Sequence, residues 1–337
     1  MKTLRLALLG FGNAGQAFAR LLLEKRADIA ARYGVEVSVT AIVTGRHGSW
    51  ADPQGIDLSA ALSQVALGRF AADRGLTAMD VVTGGEYDVL VEMTPLNIRT
   101  GQPAIDHIRG ALTRGKHVIT ANKGPVAWAY DELKSLAAAQ NCRFYCETTV
   151  MDGTPVFNLC DLTLRMAEVT EVSGILNSTT NFILEELAAG KEYDDIIARG
   201  RQLGFIEADA ATDIEGYDAA AKITALLNVL MHAGITPDKV DRTGIENVTV
   251  ADIQAAAARG SVIKLLCRGW REDGKVHASV KPVEVPKGDL LATIDSTSSV
   301  VSVTTDLMGK LSVVEHAPLI EQTAYGVFSD LLRIICE

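Results

Sequence analysis

The feature that most constrains this chain stands at its tenth residue. Leu4–Leu9 is a short apolar run, and Gly10-Phe11-Gly12-Asn13-Ala14-Gly15 follows it at once, ahead of a helical pattern that reaches about Tyr33. Three glycines at this spacing between a strand and a helix meet three steric needs. The first permits a tight turn, the second lets backbone approach a pyrophosphate, and the third lets helix and strand pack closely. The helix start adds unpaired N–H groups and the positive end of its dipole. A purely structural glycine turn can carry the same letters. The strand–turn–helix setting favours a dinucleotide site, with Gly10, Gly12, Asn13, Ala14 and Gly15 as its contacts.

The following residues keep the alternation. Val37–Val43, Val89–Met93, His117–Thr120 and Cys142–Glu147 read as strands, Ala104–Arg114 and Tyr130–Gln140 as helices, and 45–60 as polar and turn-rich. Strands alternating with helices argue for an α/β fold with a Rossmann-type, doubly wound parallel sheet. Ligands bind such sheets at the carboxyl ends of the strands. Two turns stand there: Met93-Thr94-Pro95, and Thr120-Ala121-Asn122-Lys123-Gly124-Pro125. Asn122 and Lys123 can reach a nicotinamide ribose or a substrate, although a polar turn after a strand is common. An acidic residue at the end of the second strand would bind the ribose 2′-OH of NAD. Thr44-Gly45-Arg46-His47 stands there instead. Arg46 is either a partner for a 2′-phosphate, favouring NADP over NAD, or a solvated loop charge.

Charge and composition exclude several classes. The chain has 32 basic and 42 acidic side chains, a net charge of -10, so it lacks the basic footprint of a nucleic-acid binder. No apolar run reaches the ~18 residues a membrane span needs. The apolar start runs into the glycine turn without a small-residue cleavage pattern, against a signal peptide. Five cysteines with no CxxC pair argue against a disulfide framework or a zinc site. The expectation is a cytoplasmic protein.

After about residue 147 the texture changes. Glu171–Leu176 reads as a strand, Asn181 to about Ala233 as a long helical region, and Val262–Trp270, Val276–Val285, Ser299–Thr305 and Lys310–Val314 as short β runs. This predicts a dinucleotide-binding domain over 1–147, a second α+β domain over 148–317, and a last helix, 318–337, packing back on the first. Asp218 and Lys222 share a helix face at i,i+4. Lys222 borders an apolar stripe of Ala219, Ile223, Leu226, Leu227 and Leu230, and is the only Lys, Arg, Asp or Glu from 219 to 237. Desolvation lowers an ammonium pKa toward acid/base range, and a carboxylate alongside opposes that. The alternative is a surface ion pair worth roughly 0.3–0.5 kcal/mol.

The chain resembles the homoserine dehydrogenases. The matching stretches are GFGNAG, MTPLNIRTGQPAIDHIRGALTRGKHVITANKGP, ETTVMDGTPVF, GILNSTTNFIL and LGFIEADAATDIEGYDAAAKITAL, in family order to about residue 232. The β region through Thr305-Asp306-Leu307 matches more loosely. The resemblance implies that Lys222 and Asp218 are catalytic and that Lys123 is a second lysine near the reacting carbon. It implies that Glu207 holds the substrate ammonium, with Asn177, Ser178 and Thr179 as a substrate-side loop that also suits a helix N-cap. Glu147, Val150, Asp152 and Gly153 match positions that hold a monovalent cation such as Na+ or K+, largely through backbone carbonyls. The implied reaction is reversible, NAD(P)-dependent reduction of L-aspartate 4-semialdehyde to L-homoserine, by a homodimer. Two departures accompany it. A regulatory ACT domain, which many family members carry, is not expected after Glu337. The loop before the last helix, Glu315–Thr323, has no glycine where many family members carry a glycine-rich one, so it cannot make the same close backbone approach to a cofactor. The rival readings are a related oxidoreductase of another small hydroxy or aldehyde acid, and a non-catalytic nucleotide sensor.

Overall fold

A computed structural model describes residues 1–203 and 210–337. Contacts divide the chain into two compact units, Met1–Pro155 with Leu319–Glu337, and Val156–Pro318.

The first unit runs β1 (Lys2–Leu9), α1 (Asn13–Tyr33), β2 (Val35–Thr44), β3 (Gly48–Ala51), α2 (Leu58–Ala66), α3 (Ala78–Gly84), β4 (Val89–Glu92), α4 (Ala104–Thr113), β5 (His117–Thr120), α5 (Lys123–Ala139) and β6 (Phe144–Tyr145). Its sheet has the order β3-β2-β1-β4-β5-β6. β1 pairs in parallel with both β2 and β4, and β4, β5 and β6 continue in parallel. The chain builds outward from β1 in both directions, so the crevice where strand order reverses lies at β1 and β4. Leu6, Leu8, Val89, Val91 and Ile119 are fully buried, as expected of parallel strands covered on both faces.

The polar stretch predicted as turn holds β3, which pairs antiparallel with β2. A remote carboxylate builds it. Asp73 accepts the Ser49 N–H at 2.8 Å and the Gly75 N–H at 2.9 Å. These bonds and Arg69 hold its carboxyl well below the usual range.

The second unit runs α6 (Val156–Thr163), β7 (Val169–Ile175), α7 (Ser178–Ala188), α8 (Tyr193–Leu203), α9 (Ala211–Ile214), α10 (Tyr217–Met231), β8 (Asp241–Arg242), α11 (Val250–Ala258), β9 (Ser261–Glu272), β10 (Lys275–Pro286), β11 (Ser299–Thr305) and β12 (Gly309–Glu315). Its sheet, β12-β11-β7-β9-β10-β8, is antiparallel apart from the β10–β8 pair. The single long helical region expected after Asn181 is several helices, and the first begins earlier, where Asn177 caps Ser178. α10 is buried almost all round, including Ala219, Ala220, Ala221, Ile223, Leu226 and Leu227, so the expected stripe was too narrow; Leu230 is partly exposed.

The chain returns to the first unit as α12 (Ile320–Cys336). Its Ala324, Val327, Phe328 and Leu331 join one buried cluster with Phe18, Leu22 and Ile29 of α1. The change of texture read near residue 147 precedes the break between units, because residues 148–153 belong with α12. The Thr148 hydroxyl donates to the Thr323 carbonyl at 3.4 Å, and the Thr323 hydroxyl to Asp152 Oδ1 at 2.9 Å.

Candidate active site

In the first unit the glycine turn sits in the crevice beside β4. Gly10 has φ +95°, and a Cβ on it would overlap the Met93 carbonyl. A Cβ on Gly15 would stand 2.7 Å from the Gly10 carbonyl oxygen. Both glycines therefore serve the fold. Gly12 differs: it is the N-cap of α1 at φ −76° with no side-chain cap, and among the described residues a Cβ there would meet nothing within 4 Å. Among the described residues, none gives a steric reason for that glycine. A ligand lying on the N–H groups of Asn13 and Ala14 supplies one. Arg46 is exposed at the tip joining β2 to β3, where the Thr44 hydroxyl oxygen accepts the His47 N–H at 2.6 Å.

The turns at the ends of β4 and β5 are tied together. Asn122 donates from Nδ2 to the Thr94 carbonyl at 3.2 Å and accepts the Gly124 N–H at 3.0 Å. Lys123-Gly124-Pro125, expected in a loop, forms the first turn of α5 with Asn122 as its N-cap. A polar N-cap and a proline inside the first turn are helix-start signals that the sequence reading passed over. Lys123 is half-buried there, and Thr94 is partly exposed while Pro95 is exposed.

Farther along, Glu147 is buried, and its N–H donates to Asp330 Oδ2 at 2.9 Å. Val150 is buried as well, and Met151 and Asp152 both adopt positive φ, 55° and 50°. Two consecutive side-chain-bearing residues in that region are unusual and are held only by surrounding structure. A Cβ on Gly153 would overlap the Gln322 carbonyl, so α12 passes against this turn. Gly326, the first glycine after the expected loop, lies inside α12 and packs there too: its Cβ would sit 2.8 Å from Gly153 Cα. The buried Glu147 carboxylate and carbonyl oxygens on a tight turn are hard donors suited to a hard cation. Among the described residues, no group of three or more His, Cys, Asp or Glu side chains could hold a metal.

In the second unit, Lys222 Nζ lies 3.0 Å from Asp218 Oδ2 and donates to the Leu176 carbonyl at 2.7 Å. Leu176 follows β7, so the ammonium is held against the strand end as well as its own helix. Asn177 does two things. Its Oδ1 accepts the Thr180 N–H at 2.8 Å, capping α7. Its Nδ2 donates to Asp213 Oδ1 at 2.6 Å and to Asp218 Oδ2 at 2.9 Å. Two carboxylates thus converge on one amide. Burial, then repulsion from Asp218, pushes the Asp213 carboxyl above its ordinary range, against bonds from Asn177 and Thr179. Beneath the pair, burial pushes the Cys267 thiol up to about 12. Among the described residues, the site thus brings Lys222 together with the carboxylates of Asp213 and Asp218, a setting in which a proton can be held and moved. Thr179 is buried and Ser178 partly exposed, and Glu207 lies outside the described residues. Sequence reasoning missed Asp213; its signal was its place five residues before Asp218, opening a glycine turn.

Family comparison now decides between the readings. The homoserine dehydrogenase family model matches residues 155–332, and the model of the homoserine dehydrogenase NAD binding domain matches 10–147. The chain belongs to the homoserine dehydrogenase family. It is 35% identical to a homoserine dehydrogenase of Methanocaldococcus jannaschii, over 97% of each chain. It is 33% identical to an NAD(+)-dependent homoserine dehydrogenase of Pseudomonas canavaninivorans, over 99% of this chain and 97% of that one. The crystal structure of a homoserine dehydrogenase from Thiobacillus denitrificans superimposes with a TM-score of 0.85 at 29% identity, covering 99% of this chain and 74% of the other. The family is one of nicotinamide-dependent oxidoreductases acting on a CH–OH group, and the Rossmann-type first unit and α+β second unit accord with it. No helix of the described residues is long and apolar enough to cross a membrane.

Proposed function

We propose that this homoserine dehydrogenase family member catalyses the reversible, NAD(P)-dependent reduction of L-aspartate 4-semialdehyde to L-homoserine, in the biosynthesis of threonine, methionine and isoleucine. The observation that carries the reading is the placement of Lys222, held at 3.0 Å from Asp218 and 2.7 Å from the Leu176 carbonyl in a helix otherwise apolar around it. A nicotinamide held by the first unit would supply the hydride for the aldehyde carbon. Lys222 stabilises the oxygen that gains charge and delivers its proton to it, an electrostatic contribution of the oxyanion-hole type. Asp218 orients Lys222 through their ion pair. Asp213 and Asn177 fix Asp218, and Asn177, Ser178, Thr179 and Glu207 hold the substrate, the glutamate through a charge-assisted bond to its ammonium. Lys123 acts as a second cation toward substrate and cofactor.

Gly10, Gly12, Asn13, Ala14, Gly15, Thr94, Pro95 and Asn122 are assigned to the dinucleotide. The space left at Gly12 supports that assignment, because an added Cβ would fill it. The exposed Arg46 favours NADP, by pairing with its 2′-phosphate. The NAD(+)-dependent Pseudomonas relative is an equally direct argument for NAD, and Arg46 is where the two are tested. Glu147, Val150, Asp152 and Gly153 are assigned to a monovalent cation, Na+ or K+. The enzyme works as a cytoplasmic homodimer. Nicotinamide absorbance, followed with homoserine, a panel of hydroxy acids and both cofactors, tests the reading. Turnover of homoserine is expected; turnover of another hydroxy acid alone would overturn the substrate.

A further inference from the structure

Beside the glycine turn stands a carboxylate that this reading leaves unused. Glu92, the last residue of β4, has no exposed surface and lies opposite Thr120, the last residue of β5. Its Oε1 accepts the Thr94 N–H at 3.1 Å and the Thr94 hydroxyl. Its Oε2 accepts the Thr120 hydroxyl at 3.2 Å. From α4, the buried His107 presents Nδ1 to Oε1 at 3.7 Å, beyond hydrogen-bond reach. The Thr120 oxygen in turn accepts the Asn122 N–H at 3.0 Å, and Asn122 Nδ2 donates to the Thr94 carbonyl at 3.2 Å. Glu92, Thr94, Asn122 and Thr120 therefore form a closed ring that joins the two strand-end turns.

The direction of the hydrogens follows from the chemistry of the groups. Glu92 Oε1 already accepts the Thr94 N–H, an obligate donor, and accepts the Thr94 hydroxyl alongside it. A hydroxyl has one hydrogen and two lone pairs, and a freely rotating one can donate or accept. The Thr94 hydrogen is taken by Glu92, so its oxygen has only lone pairs to offer. Thr94 is partly exposed, so a ligand can reach them. An oxygen that accepts and cannot donate selects for an N–H, and the nicotinamide ring carries one such group outside its ring system, a primary amide.

We propose that Glu92 is a positioning residue that fixes Thr94 as a hydrogen-bond acceptor and so makes the turn after β4 a reader of the nicotinamide carboxamide. The inference rests on the assignment of Thr94 and Asn122 to the dinucleotide. The test measures binding of three ligands to the full-length protein: the natural oxidised cofactor, its 3-acetylpyridine analogue, in which a methyl replaces the amide NH2, and the matching ADP-ribose, which has no nicotinamide. Wild type should prefer the natural cofactor to the analogue. Thr94→Val and Glu92→Gln should each weaken the natural cofactor by about fivefold to tenfold, the size of one hydrogen bond, and leave the other two within about twofold. Thr94→Ser should keep the preference. Equal weakening of all three ligands in Glu92→Gln would reduce Glu92 to a structural residue. An unchanged preference in Thr94→Val would overturn the inference even if Glu92→Gln fails to fold. Wild-type binding of ADP-ribose with no discrimination against the analogue would overturn it while leaving the cofactor site standing. Failure to bind any of the three would overturn the cofactor assignment itself.

Discussion

Gly12→Ala separates a glycine needed by the fold from one needed by a ligand. The residue sits at φ −76°, which alanine adopts without strain, and the added methyl meets no atom of the described residues within 4 Å. Alanine is a poorer N-cap than glycine, a cost of about 0.5 kcal/mol. It also restricts the unfolded chain, a gain of roughly 0.4–1 kcal/mol. The two nearly cancel, so the melting temperature should move by no more than about 2 °C at the ~2–4 °C per kcal/mol usual for large domains. Binding has no such compensation. A methyl over the start of α1 keeps a phosphate from the helix N–H groups, and losing even one charge-assisted bond costs about 1.5–3 kcal/mol, roughly tenfold to a hundredfold in Kd. Gly10→Ala is the counterpart: at φ +95°, with the Met93 carbonyl in the way, it should destabilise the protein by several kcal/mol, on the order of 3 or more. Thermal melts and fluorescence titration with reduced cofactor read both quantities. Wild-type affinity in Gly12→Ala, or a loss of stability matching that of Gly10→Ala, would refute the reasoning.

Other expectations follow from the second unit and the hairpin tip. Lys222→Met should lower kcat by about 10²–10⁴-fold while cofactor Kd stays within about twofold; parallel loss of both would remove its acid/base role. Asp213 has a folded-state pKa raised by burial and by Asp218, so its contribution to stability is present below the ordinary aspartate range and is lost as pH rises through the folded value. Asp213→Asn should therefore melt higher than wild type near pH 8, with the gap closing toward pH 4. A pH-independent difference between the two melting curves would contradict that. Arg46→Ala should weaken NADPH by about tenfold and leave NADH unchanged, and titration with both cofactors checks it. Glu147→Gln should remove any stimulation of activity by K+ or Na+ across a chloride series, while a retained response would place the cation elsewhere.

What could be read from the sequence was what local chemistry decides. The strand Leu4–Leu9, the glycine turn and the strand His117–Thr120 needed only near neighbours, and the structure has all three. β3 was not readable, because its order comes from Asp73, far along the chain from Ser49. The start of α5 was hidden by reading Asn122–Pro125 as a turn rather than as a cap and first turn. Asn177, Asp218 and Lys222 were singled out from spacing and resemblance, and the fold brings them together. Asp213 and Glu92 escaped notice for one reason. A lone carboxylate at a strand or turn end looks like a solvated charge until the fold shows which donors surround it.

The return of α12 to the first unit has a consequence for how the molecule is made. The cofactor-binding unit is discontinuous, interrupted by all of Val156–Pro318. During synthesis, Phe18, Leu22 and Ile29 on α1 must wait for Ala324, Val327, Phe328 and Leu331 to leave the ribosome before their shared cluster can close. The first unit thus cannot close this cluster until all of Val156–Pro318 has been made, and until then the α1 face of it is open to chaperones or to misassembly.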